Sequence, residues 1–166
     1  MRQDFCGNLI GMDNTTTIAS GSQVIIEPAT WRDLNPLRDL EKACFPLDAW
    51  PLWDLIGVLT LPNVVRLKAV VNGKFAGFIA GDVRPSEKMA WIATIGVMPE
   101  YQRRGIGTSL LLSAEARLGV PRVRLCVRVS NSTAIHLYEH LGYKNVSTWP
   151  NYYGNGEDAL VMEKML

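Results

Sequence analysis

Residues Gln102-Arg103-Arg104-Gly105-Ile106-Gly107-Thr108 join a strand-like run, Trp91 to Val97, to a helix-like run, Ile106 to Leu118. A strand feeding a helix through a Gly-rich turn confines the chain to architectures in which helices cover a sheet. The same turn limits what the chain binds. The first N–H groups of a helix have no partner inside it, so they point outward and favour an anion, most often a phosphate. Arg103 and Arg104 add charge that suits a pyrophosphate. The segment is not a P-loop, because no Gly-Lys-Ser/Thr follows, and it lacks the third glycine of a dinucleotide fingerprint. On this ground alone, a plain turn and a phosphate cradle are both open.

The flanking sequence supplies the other elements. Gln23 to Glu27 reads as a strand. Asn35 with Pro36 reads as an N-cap and first-turn proline, and Leu37, Leu40, Glu41 and Cys44 fall at helical spacing. Phe45-Pro46 stops that helix, and Asp48 with Pro51 starts a second one that ends near Leu59. Asn72-Gly73 between Val64–Val71 and Lys74–Val83 is a hairpin signal. Strands follow at Met89–Val97, Val123–Val129, Lys144–Trp149 and Asp158–Lys164, and helices at 105–118 and 132–141. A hairpin meander followed by strand-helix-strand units predicts an α/β (α+β) domain with a mixed, mostly antiparallel sheet and helices on both faces. Residues 1–22 are polar and irregular and are expected as a flexible extension of a single domain over 23–166.

Composition excludes several classes. A chain of 166 residues with 48% hydrophobic and 20% charged residues is globular rather than disordered. A net charge of +1 gives no reason to expect nucleic acid or a membrane surface as a partner. No apolar run reaches the roughly 18 residues of a membrane helix. Cys6, Cys44 and Cys126 are odd in number and widely spaced, which suits a reducing cytoplasm better than a disulfide framework or a zinc site. Nothing chooses between a monomer and a homodimer.

Gln102 to Gly107 matches the Gln/Arg-x-x-Gly-x-Gly/Ala signature of acyl-CoA-dependent N-acyltransferases, and here the chain resembles the GNAT superfamily. The likeness continues through Ala43-Cys44-Phe45-Pro46, Ile95–Leu111, Ser130-Asn131, Leu137-Tyr138-Glu139, Leu141-Gly142-Tyr143, Asn151-Tyr152-Tyr153 and Glu157-Asp158-Ala159. Over about residues 24–166 it is similar to the protein N-terminal acetyltransferases, with most in common with the ribosomal-protein alanine N-acetyltransferases. The resemblance implies the GNAT fold, acetyl-CoA as cofactor and a protein or peptide N-terminus as substrate. It implies that Ile95, Gly96 and Val97 offer backbone to the pantetheine arm, and that Gln102, Arg103, Arg104, Gly105, Ile106, Gly107 and Thr108 wrap the pyrophosphate. Asn131 would contact the cofactor, and Tyr138 would protonate the leaving thiolate. Phe45, Pro46, Leu47, Tyr152 and Tyr153 would line the substrate groove.

At one position the chain departs from its relatives. Where they carry a glutamate base, it has Cys126. Strand alternation sets Val123, Leu125, Val127 and Val129 on one face and Arg124, Cys126 and Arg128 on the other. The arginines would lower the thiol's pKa; alternatively Cys126 is a small, tolerated residue in the groove. An α-amine of pKa about 7.7–8.0 is roughly a third neutral near pH 7.5, whereas a lysine at about 10.4 is neutral only to about 0.1%. A missing base therefore costs little on an α-amine, with water relaying the proton. Acetylation of a small-molecule amine, or a catalytically weak acyl-CoA-binding regulatory protein, are the alternative readings. His136-Leu137-Tyr138-Glu139-His140 also fits an inverted zinc-protease motif, but two solvated helix-face histidines account for it. Trp50, Trp53, Trp91 and Trp149 are expected in the core or in groove walls.

Overall fold

The computed structural model describes residues 15–17, 23–46 and 48–166. Its strands are β1 (Thr15–Thr17), β2 (Gln23–Pro28), β3 (Val64–Val71), β4 (Lys74–Arg84), β5 (Met89–Val97), β6 (Arg122–Arg128), β7 (Lys144–Trp149) and β8 (Ala159–Met165). The helices are α1 (Leu34–Cys44), α2 (Leu52–Thr60), α3 (Ile106–Leu118) and α4 (Ser132–His140). The strands form one sheet in the order β1-β2-β3-β4-β5-β6-β8-β7. Its pairings are antiparallel except between β5 and β6, which are parallel. The mixed, mostly antiparallel sheet expected from the sequence is therefore present.

Both faces are covered. Phe78 and Ile79 are neighbours on β4, so their side chains leave opposite faces. Phe78 packs with Leu37, Leu40, Leu55, Val58 and Leu59 of α1 and α2. Ile79 packs with Ile106, Leu110, Leu111, Ala114 and Leu118 of α3, and Tyr138 of α4 joins the same cluster. Asn72 and Gly73 hold positive φ values of 49° and 75°, the conformation a tight Asn-Gly hairpin needs.

Three local expectations differ from the structure. The α1 helix starts at Leu34 with Asp33 at its N-cap, so Asn35 is inside it and Pro36 in its first turn. A short 3-10 turn, Trp31–Asp33, leads in, and the Asp33 carboxylate accepts the Thr30 N–H at 2.7 Å. Trp53 is 77% exposed, not buried, because the short α2 helix presents only Leu55, Val58 and Leu59 inward. Within the segment expected as a loose extension, Thr15–Thr17 pair with Gln23–Ile25 of β2. The remainder of 1–22 lies outside the described residues.

A close approach pins the sheet to α3. A Cβ added at Gly77 on β4 would sit 2.9 Å from the Gly96 carbonyl oxygen and 3.0 Å from Leu110 Cδ1. Backbone on one side and a buried leucine on the other leave no room to yield. Gly77→Ala is expected to cost about 1–3 kcal/mol, read as a lower midpoint in chemical denaturation.

Candidate active site

The sheet opens where β5 and β6 part. Their parallel pairing covers only Ala90↔Val123, Trp91↔Arg124 and Ile92↔Leu125. On the other side of β5 the register with β4 shifts at the same point, from Gly81↔Ile92 to Ala80↔Thr94, so Ala93 is the extra residue of a bulge. A bulge bends its strand, and here it turns β5 away from β6. The gap becomes a cleft of ≈ 380 Å³ through the sheet. Glu41, Phe45 and Trp50 line it from the α1–α2 side, and Asn131, Ala134 and Tyr138 from the α4 side.

Beyond the bulge, β5 turns backbone groups toward this gap. Met98 N–H bonds to Ala76 C=O of β4 at 2.9 Å. Val97, one residue earlier, faces the opposite way, and so does Ile95. The Val97 carbonyl accepts the Cys44 thiol at 3.2 Å and the Gln102 side-chain amide at 2.9 Å. Gly96 is buried against α1, where a Cβ would come within 2.7 Å of Leu40 Cδ2.

The Gly-rich turn follows directly. Gly105 is the N-cap of α3 with φ 78°, a left-handed conformation that costs glycine little, and no side chain caps the helix. Intrahelical bonding begins with Ser109 N–H to Gly105 C=O at 3.0 Å. The N–H groups of Ile106, Gly107 and Thr108 therefore point out of the helix end. Gln102 and Arg104 are exposed and brace the turn. Gln102 reaches back to Val97, and Arg104 bonds the Glu100 carbonyl at 2.8 Å and stacks over Tyr101. Arg103 takes φ 59° and is exposed, which leaves it as the cation the turn can offer a ligand. Replacing Gly105 by Ala would force that conformation on a residue with a Cβ, and a loss of about 1 kcal/mol is expected in thermal unfolding.

On the α4 side, Tyr138 is 7% exposed and lines the cleft, and burial pushes its phenol up to about 12. It holds its proton and can donate it. Asn131 is the N-cap of α4, with its side-chain oxygen accepting the Ala134 N–H at 3.1 Å. Its amide NH2 is left for a ligand. Asn131→Ala is expected to cost about 1 kcal/mol through the cap alone.

Of the two readings of Cys126, the structure favours the small, tolerated groove residue. Its face of β6 is as predicted, but its arginine neighbours do not activate it. Arg124 bonds Glu163 at 2.6 Å, and Arg128 is held by Asp48 and by Glu157 at 2.6 Å. Burial pushes the Cys126 thiol up, with a hydrogen bond involving Tyr152 opposing it. It is a neutral thiol, not a thiolate. Hydrogen bonds from the Ser130 hydroxyl and N–H, then Arg128, hold the Glu157 carboxyl down to about 2. Arg128 also lies 3.8 Å from the centre of the Tyr153 ring.

Phe45, Pro46 and Tyr153 line the cleft. Tyr152 is half exposed and stands beside it, touching Cys126 and meeting the Tyr153 ring edge-to-face at 5.1 Å between centroids. Leu47 lies outside the described residues. His136 and His140 are exposed on α4.

The sequence reading assigned no role to Glu41. This carboxylate is 1% exposed at the cleft wall. It accepts the Thr94 hydroxyl at 3.2 Å and the Trp50 N–H at 3.4 Å. Burial, outweighing those bonds, raises its pKa above the ordinary glutamate value. The signal was a carboxylate at helical spacing with the apolar Leu37 and Leu40, which are buried with it.

The family model described as the acetyltransferase (GNAT) family matches residues 33–143. An N-alpha-acetyltransferase of Sulfurisphaera tokodaii is 30% identical over 156 residues, covering 86% of this chain and 93% of that protein. The ribosomal protein bS18-alanine N-acetyltransferase of Escherichia coli is 40% identical over 97 residues, covering 55% of this chain and 64% of the relative. The crystal structure of the Escherichia coli ribosomal-protein-S18-alanine N-acetyltransferase superposes with a TM-score of 0.78 at 30% identity, covering 86% and 93% of the two chains.

Proposed function

The chain belongs to the acetyltransferase (GNAT) family, and we propose that it transfers an acetyl group from acetyl-CoA to the N-terminal α-amine of a protein or peptide. The observation that carries this reading is the cleft through the sheet. Its mouth is aromatic, formed by Phe45, Trp50 and Tyr153, and the β5 strand that lines it leads on to the uncapped N-terminus of α3. The residues present fit the cofactor. Outward N–H groups at Ile106–Thr108 and the free Arg103 suit a pyrophosphate, and the backbone of Ile95 and Val97, on the β5 edge away from β4, suits the amides of a pantetheine arm.

When bound, acetyl-CoA supplies the activated acetyl thioester. The chain does the rest. Strand N–H groups of β5 near Val97, on the edge away from β4, would polarise the thioester carbonyl. Tyr138 holds a proton for the sulfur. Phe45, Pro46 and Tyr153, with Tyr152 and Leu47 beside them, form the groove for the incoming N-terminus. The neutral Cys126 is no strong base and serves as a small wall residue. We place the domain at residues 23–166, with β1 (Thr15–Thr17) added at the edge of its sheet. We place the protein in the cytoplasm, where its thiols stay reduced and newly made N-termini are available.

The test is a peptide panel with free N-termini, read by turnover together with a thermal shift on adding acetyl-CoA. Product from N-terminal peptides is expected. Stabilisation without product from any peptide would instead make the chain an acyl-CoA-binding regulator.

A further inference from the structure

Resting on that functional reading, we propose that Thr94 and Glu41 carry away the proton of the attacking amine, with Thr94 as the bridge and Glu41 as the acceptor. The geometry assigns the roles. Thr94 is half-buried one residue past the Ala93 bulge, on the strand segment that lines the cleft. Its hydroxyl donates to the Glu41 carboxylate at 3.2 Å. That leaves the oxygen's lone pairs free to accept from an amine or a water in the cleft. Glu41 is 1% exposed, so a substrate reaches it through Thr94 more readily than directly. The second carboxylate oxygen is fixed by the Trp50 N–H, which holds the acid in one orientation.

The two ends of the cleft then have opposite tasks. Glu41 approaches from the α1 side of the sheet and Tyr138 from the α4 side. As the amine nitrogen bonds to the thioester carbon, the nitrogen becomes cationic and its proton acidic. That proton passes to Thr94 Oγ as the threonine's own proton passes to Glu41. The carbon–sulfur bond breaks with its electron pair on sulfur, and the sulfur takes the Tyr138 proton. An amide and a thiol result. Release to water of the proton on Glu41, and uptake of one by Tyr138, restore the enzyme.

The surroundings suit an acceptor that is a stronger base than a surface glutamate. The titratable groups sharing the cleft are Cys44 on the same helix, Asp48 in the α1–α2 loop, Cys126 and Arg128 on β6, Tyr138 on α4 and Tyr153 before β8. The cation among them, Arg128, is engaged by Asp48 and Glu157. Nothing positive in that set neutralises Glu41, and burial raises its pKa accordingly.

The experiment compares wild type with Glu41→Gln, Thr94→Val and Thr94→Ser on an N-terminal peptide. Gln keeps the shape of Glu and can still bond Thr94. Expected are a fall in kcat of about 100-fold for Glu41→Gln, at the lower end of general-base effects, and a smaller fall for Thr94→Val. Thr94→Ser, which keeps the hydroxyl, should stay close to wild type. The acid limb of the kcat–pH profile should vanish in Glu41→Gln, while the KM for acetyl-CoA and the thermal shift it produces stay unchanged. Carbon-13 NMR of glutamate-labelled protein should show one carboxyl titrating above the ordinary range, absent from Glu41→Gln.

Two results would overturn the proposal: kcat within twofold of wild type and an intact acid limb in Glu41→Gln, or equal rates for Thr94→Val and wild type. If Glu41→Gln fails to fold, the two Thr94 variants decide. A wild type that binds acetyl-CoA yet acetylates no peptide overturns the functional reading instead, and the carboxyl titration still tests Glu41.

Discussion

Replacing Tyr138 by Phe is expected to lower kcat by about 100-fold while leaving the KM for acetyl-CoA within about twofold. The side chain is 7% exposed, and the ring packs 5.8 Å from that of Tyr143, so Phe fills the same space. Only the hydroxyl is lost, and with it the proton for the leaving sulfur, a contribution typical of general acids. A phenol pushed up to about 12 is a weaker acid than an ordinary thiol near 8.5, and the transfer would run uphill by about 5 kcal/mol. The same desolvation that raises the phenol raises a thiolate held beside it, so the gap narrows in the closed cleft. The raised value also fixes the pH dependence. A phenol with its folded pKa above the usual value stays protonated below that pKa. Loss of activity through Tyr138 ionisation should begin only as pH nears 12. Steady-state kinetics of both forms across pH would test this, and wild-type kcat in Tyr138→Phe would remove the residue from the mechanism.

Gly107→Val is expected to raise the KM for acetyl-CoA by about 100-fold with the melting temperature unchanged or slightly higher. At this position a Cβ meets only Val97 Cγ2, at 3.8 Å, an ordinary contact. The fold has room for the side chain, and Val is a better helix residue than Gly. The bulk would stand between the helix N-terminus and the end of β5, across the path from pyrophosphate to pantetheine. Obstructing two charge-assisted hydrogen bonds, each worth about 1.5–3 kcal/mol, corresponds to at least about 100-fold in affinity. Calorimetric titration with coenzyme A, beside a melting curve, separates this loss from a folding defect. Unchanged affinity would show that the glycine is only a turn residue.

Much of this architecture is legible in local sequence, because its signals are local. Asn72-Gly73 marks a hairpin whatever surrounds it, and apolar alternation at Val123, Leu125 and Val127 marks the buried face of β6. The turn at Gly105 shows its helix end for the same reason. The less legible features depend on partners distant in sequence. Arg124 and Arg128 look able to activate Cys126 until Glu163, Asp48 and Glu157 arrive from other elements to bind them. Glu41 reads as one more polar residue in α1 until Thr94 and Trp50 enclose it. The outward Trp53 and the Asp33 cap mislead in a smaller way, because α2 is too short to bury its whole circumference and a 3-10 turn precedes α1.

Acetylation of a single peptide carrying both a free N-terminus and an internal lysine tests the central claim most directly, with the modified residue located by tandem mass spectrometry. Without a strong base at Cys126, the free-amine fraction governs the choice, and it favours an α-amine over lysine by about two to three orders of magnitude near neutral pH. The account predicts one acetyl group, on the N-terminal residue. Acetyl groups mainly on the lysine would contradict it.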